Sequence, residues 1–144
     1  MAEILTLPKY LASFARKRWQ FGTLDCCTFA SDWSLLHFGV DPMRDLRGTY
    51  SSERQYMKLV RRLGGFERCC VDRLVAAGFR ETAAPVAGDL MMVRAAYAMR
   101  RGKIQQRPVA AICVSPTSRA VITPDRGVVI ANEDRLPMMR AWAR

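Results

Sequence analysis

The sequence contains one histidine, His37, in 144 residues. It has no apolar run close to the roughly 20 residues that a membrane-spanning helix needs, so no membrane span is expected. The opening residues include Glu3 and no basic stretch ahead of an apolar one, which argues against a secretory signal and predicts synthesis in a cytosol. The length of 144 residues predicts a single domain over residues 1–144, and the sequence has no internal repeats or low-complexity segments.

The five cysteines lack the C-x-x-C spacing that is typical of zinc and iron–sulfur sites. Two pairs are vicinal, Cys26–Cys27 and Cys69–Cys70, and adjacent cysteines do not easily bridge each other. Disulfides are also rare in cytosolic proteins. We therefore expect buried free thiols, with no bound metal and no cofactor.

Acidic residues are outnumbered: 13 aspartates and glutamates face 23 lysines and arginines, and the formal net charge is +10. A basic field of this size favours acidic protein surfaces, polyanions or anionic cell envelopes, or else it is only a solvated face. The arginines are not interleaved with aromatic residues as in a strand-binding groove, and no nucleic-acid module is visible. Dedicated nucleic-acid binding is not expected.

The first half of the chain, about 1–84, has the apolar spacing of helices. A first helix is predicted in TLPKYLASFARKRW with Thr6 as its N-cap, and a second from Cys26, capped by Asp25, to Gly39. Two further helices, in SSERQYMKLVRRLGG and FERCCVDRLVAAG, are expected to pack as a helical hairpin.

The second half, about 85–144, contains short β-branched segments bounded by turn residues: GDLMMVR, PVAAICV, RAVIT, GVVIA and, at the end, MMRAWAR. The segment AAYAMRRGKIQQR is compatible with a loop, a broken helix or an elongated hairpin. Helices followed by such strands predict the α+β class, with N-terminal helices packed on a C-terminal antiparallel sheet or small barrel.

Cys26 is predicted to occupy the first turn of the second helix, where the backbone N–H groups stabilise a thiolate. This position makes Cys26 a candidate nucleophile. The alternative is a sulfur that only fills space, because Cys26 also lies on the apolar stripe of the same helix. In both cases Asp25 would cap the helix rather than take part in chemistry.

Three motifs in this sequence resemble those of NlpC-type, papain-like cell-wall peptidases. LDCCTFASDW resembles the D-C-S-G-F/L-V motif of their catalytic helix, VAGDLMMV their P-G-D-L-v-f strand opening, and PVAAICV their H-V-G-I-Y strand. The sequence also resembles a small family encoded among the tail-tip genes of phages, prophages and gene-transfer particles. This second resemblance lies in the segments RWQFGTLDCC, GVDPMRDLRGTY and RAWAR. The resemblance covers most of the chain and implies a papain-like fold of the NlpC type.

The resemblance places Cys26 at the nucleophile, Asp89 in the structural strand-opening motif, and Val109 where the catalytic histidine would be. Valine can neither accept the thiol proton nor return it to a leaving amine. His37 lies 11 residues after Cys26 in the same predicted helix, roughly 16 Å along its axis, and is expected to be partly buried near the helix C-terminus. That distance is too long for a general base.

Two functions remain open at this point. The resemblance favours a structural or assembly component of a bacteriophage tail tip or baseplate on a degenerate cysteine-peptidase fold. Such a protein would be made in the host bacterial cytoplasm, reside in the virion, and contact other phage tail proteins such as hub, distal tail or tail-tip subunits. The alternative is an active cysteine peptidase or amidase that acts on peptidoglycan during genome delivery.

The alternative function needs a base from elsewhere, either from a partner chain or from a carboxylate in the second half of the sequence. Asp89, Asp125 and Glu133 are the candidates. The ordinary pKa of a carboxyl group makes it a poor proton acceptor from a thiol. The hydrolase hypothesis is weaker for this reason.

Overall fold

The computed structural model describes residues 6–144, with the backbone alone for residues 97–100 and 104. Four helices come first: α1 (Leu7–Ala12), α2 (Cys26–Phe38), α3 (Glu53–Arg62) and α4 (Phe66–Ala76). Six strands follow: β1 (Arg80–Glu81), β2 (Leu90–Arg100), β3 (Lys103–Ser115), β4 (Ser118–Thr123), β5 (Gly127–Asn132) and β6 (Met138–Ala143). The strands pair antiparallel in one sheet with the order β1-β6-β2-β3-β4-β5, so the α+β prediction is confirmed.

The helix boundaries follow the capping residues that the sequence indicates. Asp25 caps α2, and Gly39 ends it in the left-handed conformation at φ 75°. Ser52 caps α3, and Thr6 caps α1, which ends at Ala12 and is shorter than the predicted segment. No helix within residues 6–144 is both long and apolar enough to cross a membrane.

The segment that the sequence left open is an elongated hairpin. Strands β2 and β3 pair from Leu90 opposite Ile112 out to Arg100 opposite Lys103, with an irregularity near Ala96. Residues 101 and 102 form the turn, both with positive φ (52° and 74°), as expected for a two-residue hairpin connection. The two-residue strand β1, which pairs with β6, was not predicted, because such a short segment has no periodic pattern.

The hydrophobic core lies between the sheet and α2. Phe29 and Trp33 of α2 are fully buried, together with Met92 and Ile112 of the sheet. Trp142 in β6 is also buried and fixes the last strand to the same core. Because α2 packs on β3 and β4, its first turn lies over the middle of β3.

Candidate functional site: a cavity between helix α2 and strand β3

The turn before α2 brings its first residues into a fixed position. Gln20 and Leu24 form an isolated antiparallel bridge, and Gly22 between them has a φ of 89°, which favours glycine. A Cβ atom added to Gly22 would lie 2.1 Å from the carbonyl oxygen of Tyr50. The chain can therefore approach the segment around Tyr50 only because residue 22 has no side chain.

Asp25 is a buried carboxylate whose two oxygens are both engaged. Its Oδ1 accepts hydrogen bonds from the backbone N–H groups of Cys27 (3.0 Å) and Thr28 (2.9 Å). Its Oδ2 accepts from the backbone N–H of Gly22 (2.9 Å) and from the hydroxyl of Tyr50 (2.6 Å). Thr28 completes a capping box by accepting from the Asp25 N–H. The Asp25 side chain serves as an N-cap that also ties α2 to two loops.

Cys26 and Val109 line the same cavity, which has a volume of about 230 Å³. Each of these side chains is only 4% exposed. The rest of the lining is mainly aromatic and aliphatic, with one acidic and one basic side chain: Trp19, Phe21, Asp25, Tyr56, Met57, Val60, Phe66, Arg107 and Pro108. The structure thus brings together the two positions that the resemblance assigns to the nucleophile and to the missing histidine.

The thiols of Cys27 and Cys70 lose their protons less readily than a free thiol does. The Sγ atoms of Cys26 and Cys27 lie 3.9 Å apart. The hydrogen bond between these two sulfur atoms is the largest cause, and burial the second, that raises the pKa of Cys27 well above that of a free thiol. Burial likewise raises the pKa of Cys70 in helix α4. All five cysteines, each within the described residues, are free thiols.

Tyr56 also lines the cavity and carries a titratable hydroxyl. Burial first, and then the nearby thiols and Asp25, raise its pKa above the ordinary value of a phenol. A phenol with a raised pKa stays protonated at neutral pH and cannot accept a proton from a thiol. Arg107 is a permanent cation and cannot act as a base either.

His37 lies at the opposite end of α2 from Cys26. Its ring stacks on Trp33 at a centroid distance of 4.8 Å, and its Nε2 would lie 2.9 Å from a Cβ atom added to Gly88. His37 is exposed, so the expectation of a partly buried histidine is wrong: its ring lies against Gly88, just before β2. His37 does not line the cavity that contains Cys26.

The three candidate carboxylates also lie away from the cavity. Asp89 is buried at the start of β2, where its Oδ2 accepts a hydrogen bond from the Val86 N–H (2.9 Å) and shapes the turn into the strand. Asp125 is exposed in the turn between β4 and β5. Glu133 forms an ion pair with the buried Arg119 of β4, which lowers the pKa of Glu133. None of them faces Cys26.

Tyr50 and Tyr56 are the site residues that sequence reasoning missed. Tyr50 is 4% exposed and reaches Asp25 from the connection between α2 and α3, whereas Tyr56 reaches the cavity from α3. Their only sequence signal is that Tyr50 ends the segment GVDPMRDLRGTY, which entered through the resemblance. The site as a whole provides a thiol, a mainly apolar cavity, a cation and the carboxylate of Asp25, whose two oxygens already accept four hydrogen bonds. The described lining residues include no free general base.

A family model described as "Domain of unknown function (DUF6950)" matches residues 5–143. No curated protein and no solved structure matches the chain.

Proposed function

The chain belongs to the DUF6950 family, and we propose that it is a non-catalytic assembly component of a bacteriophage tail tip or baseplate, built on a degenerate NlpC-type, papain-like fold. One observation carries this proposal: Val109 lines the cavity at Cys26 where a thiol hydrolase of this type needs a histidine. The tail-tip assignment itself rests on the sequence resemblance.

The arrangement of elements supports a papain-like ancestry. A cysteine in the first turn of a helix packs against an antiparallel sheet, and the position matched to the base lies on the neighbouring strand β3. The strand opening at Asp89 begins β2, which pairs with β3. These positions support the assignment of the three sequence motifs.

The surroundings of Cys26 support the loss of activity. Hydrolysis of an amide requires a group that takes the thiol proton and delivers it to the leaving amine. Both oxygens of Asp25 are already engaged with four donors, and the phenol of Tyr56 stays protonated. The described residues that line the cavity therefore offer Cys26 no free group that could complete the proton transfer.

The charge of the chain supports an assembly role. A net charge of +10 accelerates encounter with acidic protein surfaces and orients the approach. An assembly subunit needs such complementary surfaces, whereas a hydrolase needs a base beside its nucleophile.

A digestion assay tests the proposal against the alternative of an active peptidase or amidase. Wild type, Cys26→Ala and Cys113→Ala are incubated with purified peptidoglycan, and released peptides are quantified. Cys113 is a matched control because it is a buried cysteine on β3 outside the cavity. We expect no release from any of the three. Release by wild type and Cys113→Ala that disappears in Cys26→Ala would overturn the proposal and establish the hydrolase.

A genetic complementation experiment tests the assembly role. In a phage or prophage that encodes this chain, deletion of the gene should produce defective tails, and the Cys26→Ala gene should restore infectious particles. Circular dichroism of the purified variant verifies that it folds. Loss of infectivity with a folded Cys26→Ala protein would contradict a purely structural role.

A further inference from the structure

Strand β5 is an edge strand without the features that usually protect such an edge. Among residues 6–144 its one paired neighbour in the sheet is β4, so one row of its backbone N–H and C=O groups faces away from the ladder. Natural edges are often blocked by lysine, proline or a β-bulge. The sequence of β5, GVVIAN, contains neither residue, and its register with β4 is continuous from Gly127 to Asn132.

An apolar groove of about 1120 Å³ runs between α1 and β5. We call it the β5 groove. Val128 and Ile130 are two residues apart on β5 and therefore share the face that lines it. Ile130 is 52% exposed, which is high for a large aliphatic side chain in a sheet. The apolar lining continues with Leu7, Leu11, Phe14 and Val114.

The rim of the β5 groove is basic. Lys17, Arg18 and Arg126 line it and are exposed, and Asp125 is the single carboxylate among its described lining residues. Lys17 lies over the ring of Phe14 at 4.8 Å, which holds one cation at the border between the apolar lining and the solvent. An apolar groove with a cationic rim and an open strand edge is suited to a ligand that has all three complementary features.

We propose that β5 and the β5 groove bind an extended segment of a partner protein by strand addition. The segment pairs with the free edge of β5, places alternate apolar side chains in the groove and sets an acidic residue against the basic rim. This inference depends on the edge strand and not on the chemistry at Cys26, so it can fail while the proposed function stands, and the reverse is equally possible.

Two other occupants fit the observations less well. A second copy of the chain would bring two molecules of charge +10 together at their basic rims, which like charges oppose. A nucleic acid would use the rim cations but would leave the apolar groove without a matching surface. A protein segment with acidic and alternating apolar residues satisfies the charge, the apolar surface and the strand edge together.

Fluorescence anisotropy with a labelled synthetic peptide tests the proposal. The probe has two aspartates followed by four Thr-Val repeats, with a second probe that carries the aspartates at the other end and a third in which lysines replace them. We expect saturable binding of at least one acidic probe by the full chain. The lysine probe should bind at least about tenfold more weakly than the acidic probes, because the basic rim repels its lysines.

Two variants locate the binding site. Ile130→Lys places a charge in the groove and should abolish binding, whereas Leu36→Lys, the same change at a residue of α2 that is 57% exposed and outside the groove, should not. The double variant Lys17→Glu/Arg18→Glu should reverse the preference toward the lysine probe. Thermal melts verify that each variant is folded.

Several outcomes would overturn the proposal. One is the absence of saturable binding of either acidic probe, and another is equal binding by Ile130→Lys and wild type. Gel filtration that shows a dimer which Ile130→Lys dissociates would assign the edge to a second copy of the chain. Competition by an oligothymidylate that is unaffected by Ile130→Lys would assign the basic rim to a polyanion.

Discussion

The hydroxyl of Tyr50 donates a 2.6 Å hydrogen bond to Oδ2 of Asp25, and both residues are buried. This bond joins the N-cap of α2 to the connection that leads into α3. It explains why a carboxylate can be buried beside Cys26 without acting on it: its lone pairs are already directed at four donors. The region around the cavity is therefore held by a polar network that has a structural role.

Replacing Tyr50 with phenylalanine should lower the free energy of unfolding by about 1.5–3 kcal/mol, because it removes a hydrogen bond to a buried charged group. Tyr10→Phe is the matched control. Tyr10 is equally buried, but its hydroxyl donates to a neutral acceptor, the carbonyl oxygen of Phe29 at 2.5 Å, so its loss should cost about 1 kcal/mol. Urea unfolding at pH 7 measures both. A loss for Tyr10→Phe equal to that for Tyr50→Phe would contradict the role of the Asp25 charge.

Replacing Gly22 with alanine should destabilise the protein far more than replacing Gly39. Both residues have positive φ values, 89° and 75°, so each substitution carries a backbone cost of about 1–2 kcal/mol. Only at Gly22 does the new Cβ meet an atom, the carbonyl oxygen of Tyr50 at 2.1 Å; nothing lies within 4 Å at Gly39. Thermal unfolding of the two variants isolates the cost of the contact. Equal melting temperatures would show that the approach of the two segments is loose.

Placing a histidine at position 109 should activate Cys26. Val109 lines the cavity with Cys26, so an imidazole there could accept the thiol proton. We expect iodoacetamide at pH 6 to label Cys26 slowly in the wild type, where the side chain is 4% exposed, and on the order of tenfold or more faster in Val109→His.

The control for this labelling experiment is Val109→Gln, which adds a polar side chain of comparable size without a base. Peptide mapping by mass spectrometry assigns the labelled cysteine in each case. Equal labelling of Cys26 in Val109→His and Val109→Gln would argue that the two positions do not correspond to a catalytic pair.

Stability should fall at alkaline pH. In the folded protein the hydrogen bond with Cys26 raises the pKa of Cys27, and burial raises the pKa values of Cys70 and Tyr50. In the unfolded chain thiols ionise near about 8.5 and phenols near about 10. Above pH about 8.5 the unfolded chain therefore binds fewer protons than the folded one, so the free energy of unfolding decreases as pH rises. The stability that these protonated groups contribute is fully present below pH about 8.5 and is lost as the pH rises above it.

Urea unfolding under reducing conditions at pH 7.5, 9 and 10.5 measures this decline. Cys27→Ala should make the decline between pH 7.5 and 9 shallower, because one of the thiols with a raised pKa is absent. A stability that is constant across this range would contradict the protonated state of these buried groups.

Local sequence signals predicted the parts of the fold that local interactions determine. The capping of α2 by Asp25, its end at Gly39, and the strands from Leu90 onward follow from short-range patterns and are confirmed. Strand β1 and the placement of β6 between β1 and β2 depend on pairing between distant segments, which a local pattern does not encode.

The candidate site shows the same division. The position of Cys26 in the first turn of α2 was predictable from its capping residue. That Val109 faces the same cavity came from the resemblance and not from any periodicity. The bond from Tyr50 to Asp25 spans 25 residues and had no local signal, and the exposure of His37 depends on how α2 meets the start of β2.

The strand order has a consequence for vectorial synthesis of the chain. Strand β6 lies between β1 and β2 in the sheet. Its pairings join residues that are far apart in the chain, such as Arg80 with Ala143 and Leu90 with Trp142. Until residues 138–143 have left the ribosome, the edge of β2 that pairs with β6, which includes Met91 and Met92, has no partner strand. A nascent chain paused before Met138 should accordingly bind chaperones or aggregate, and the completed sheet should form in one late, non-local step.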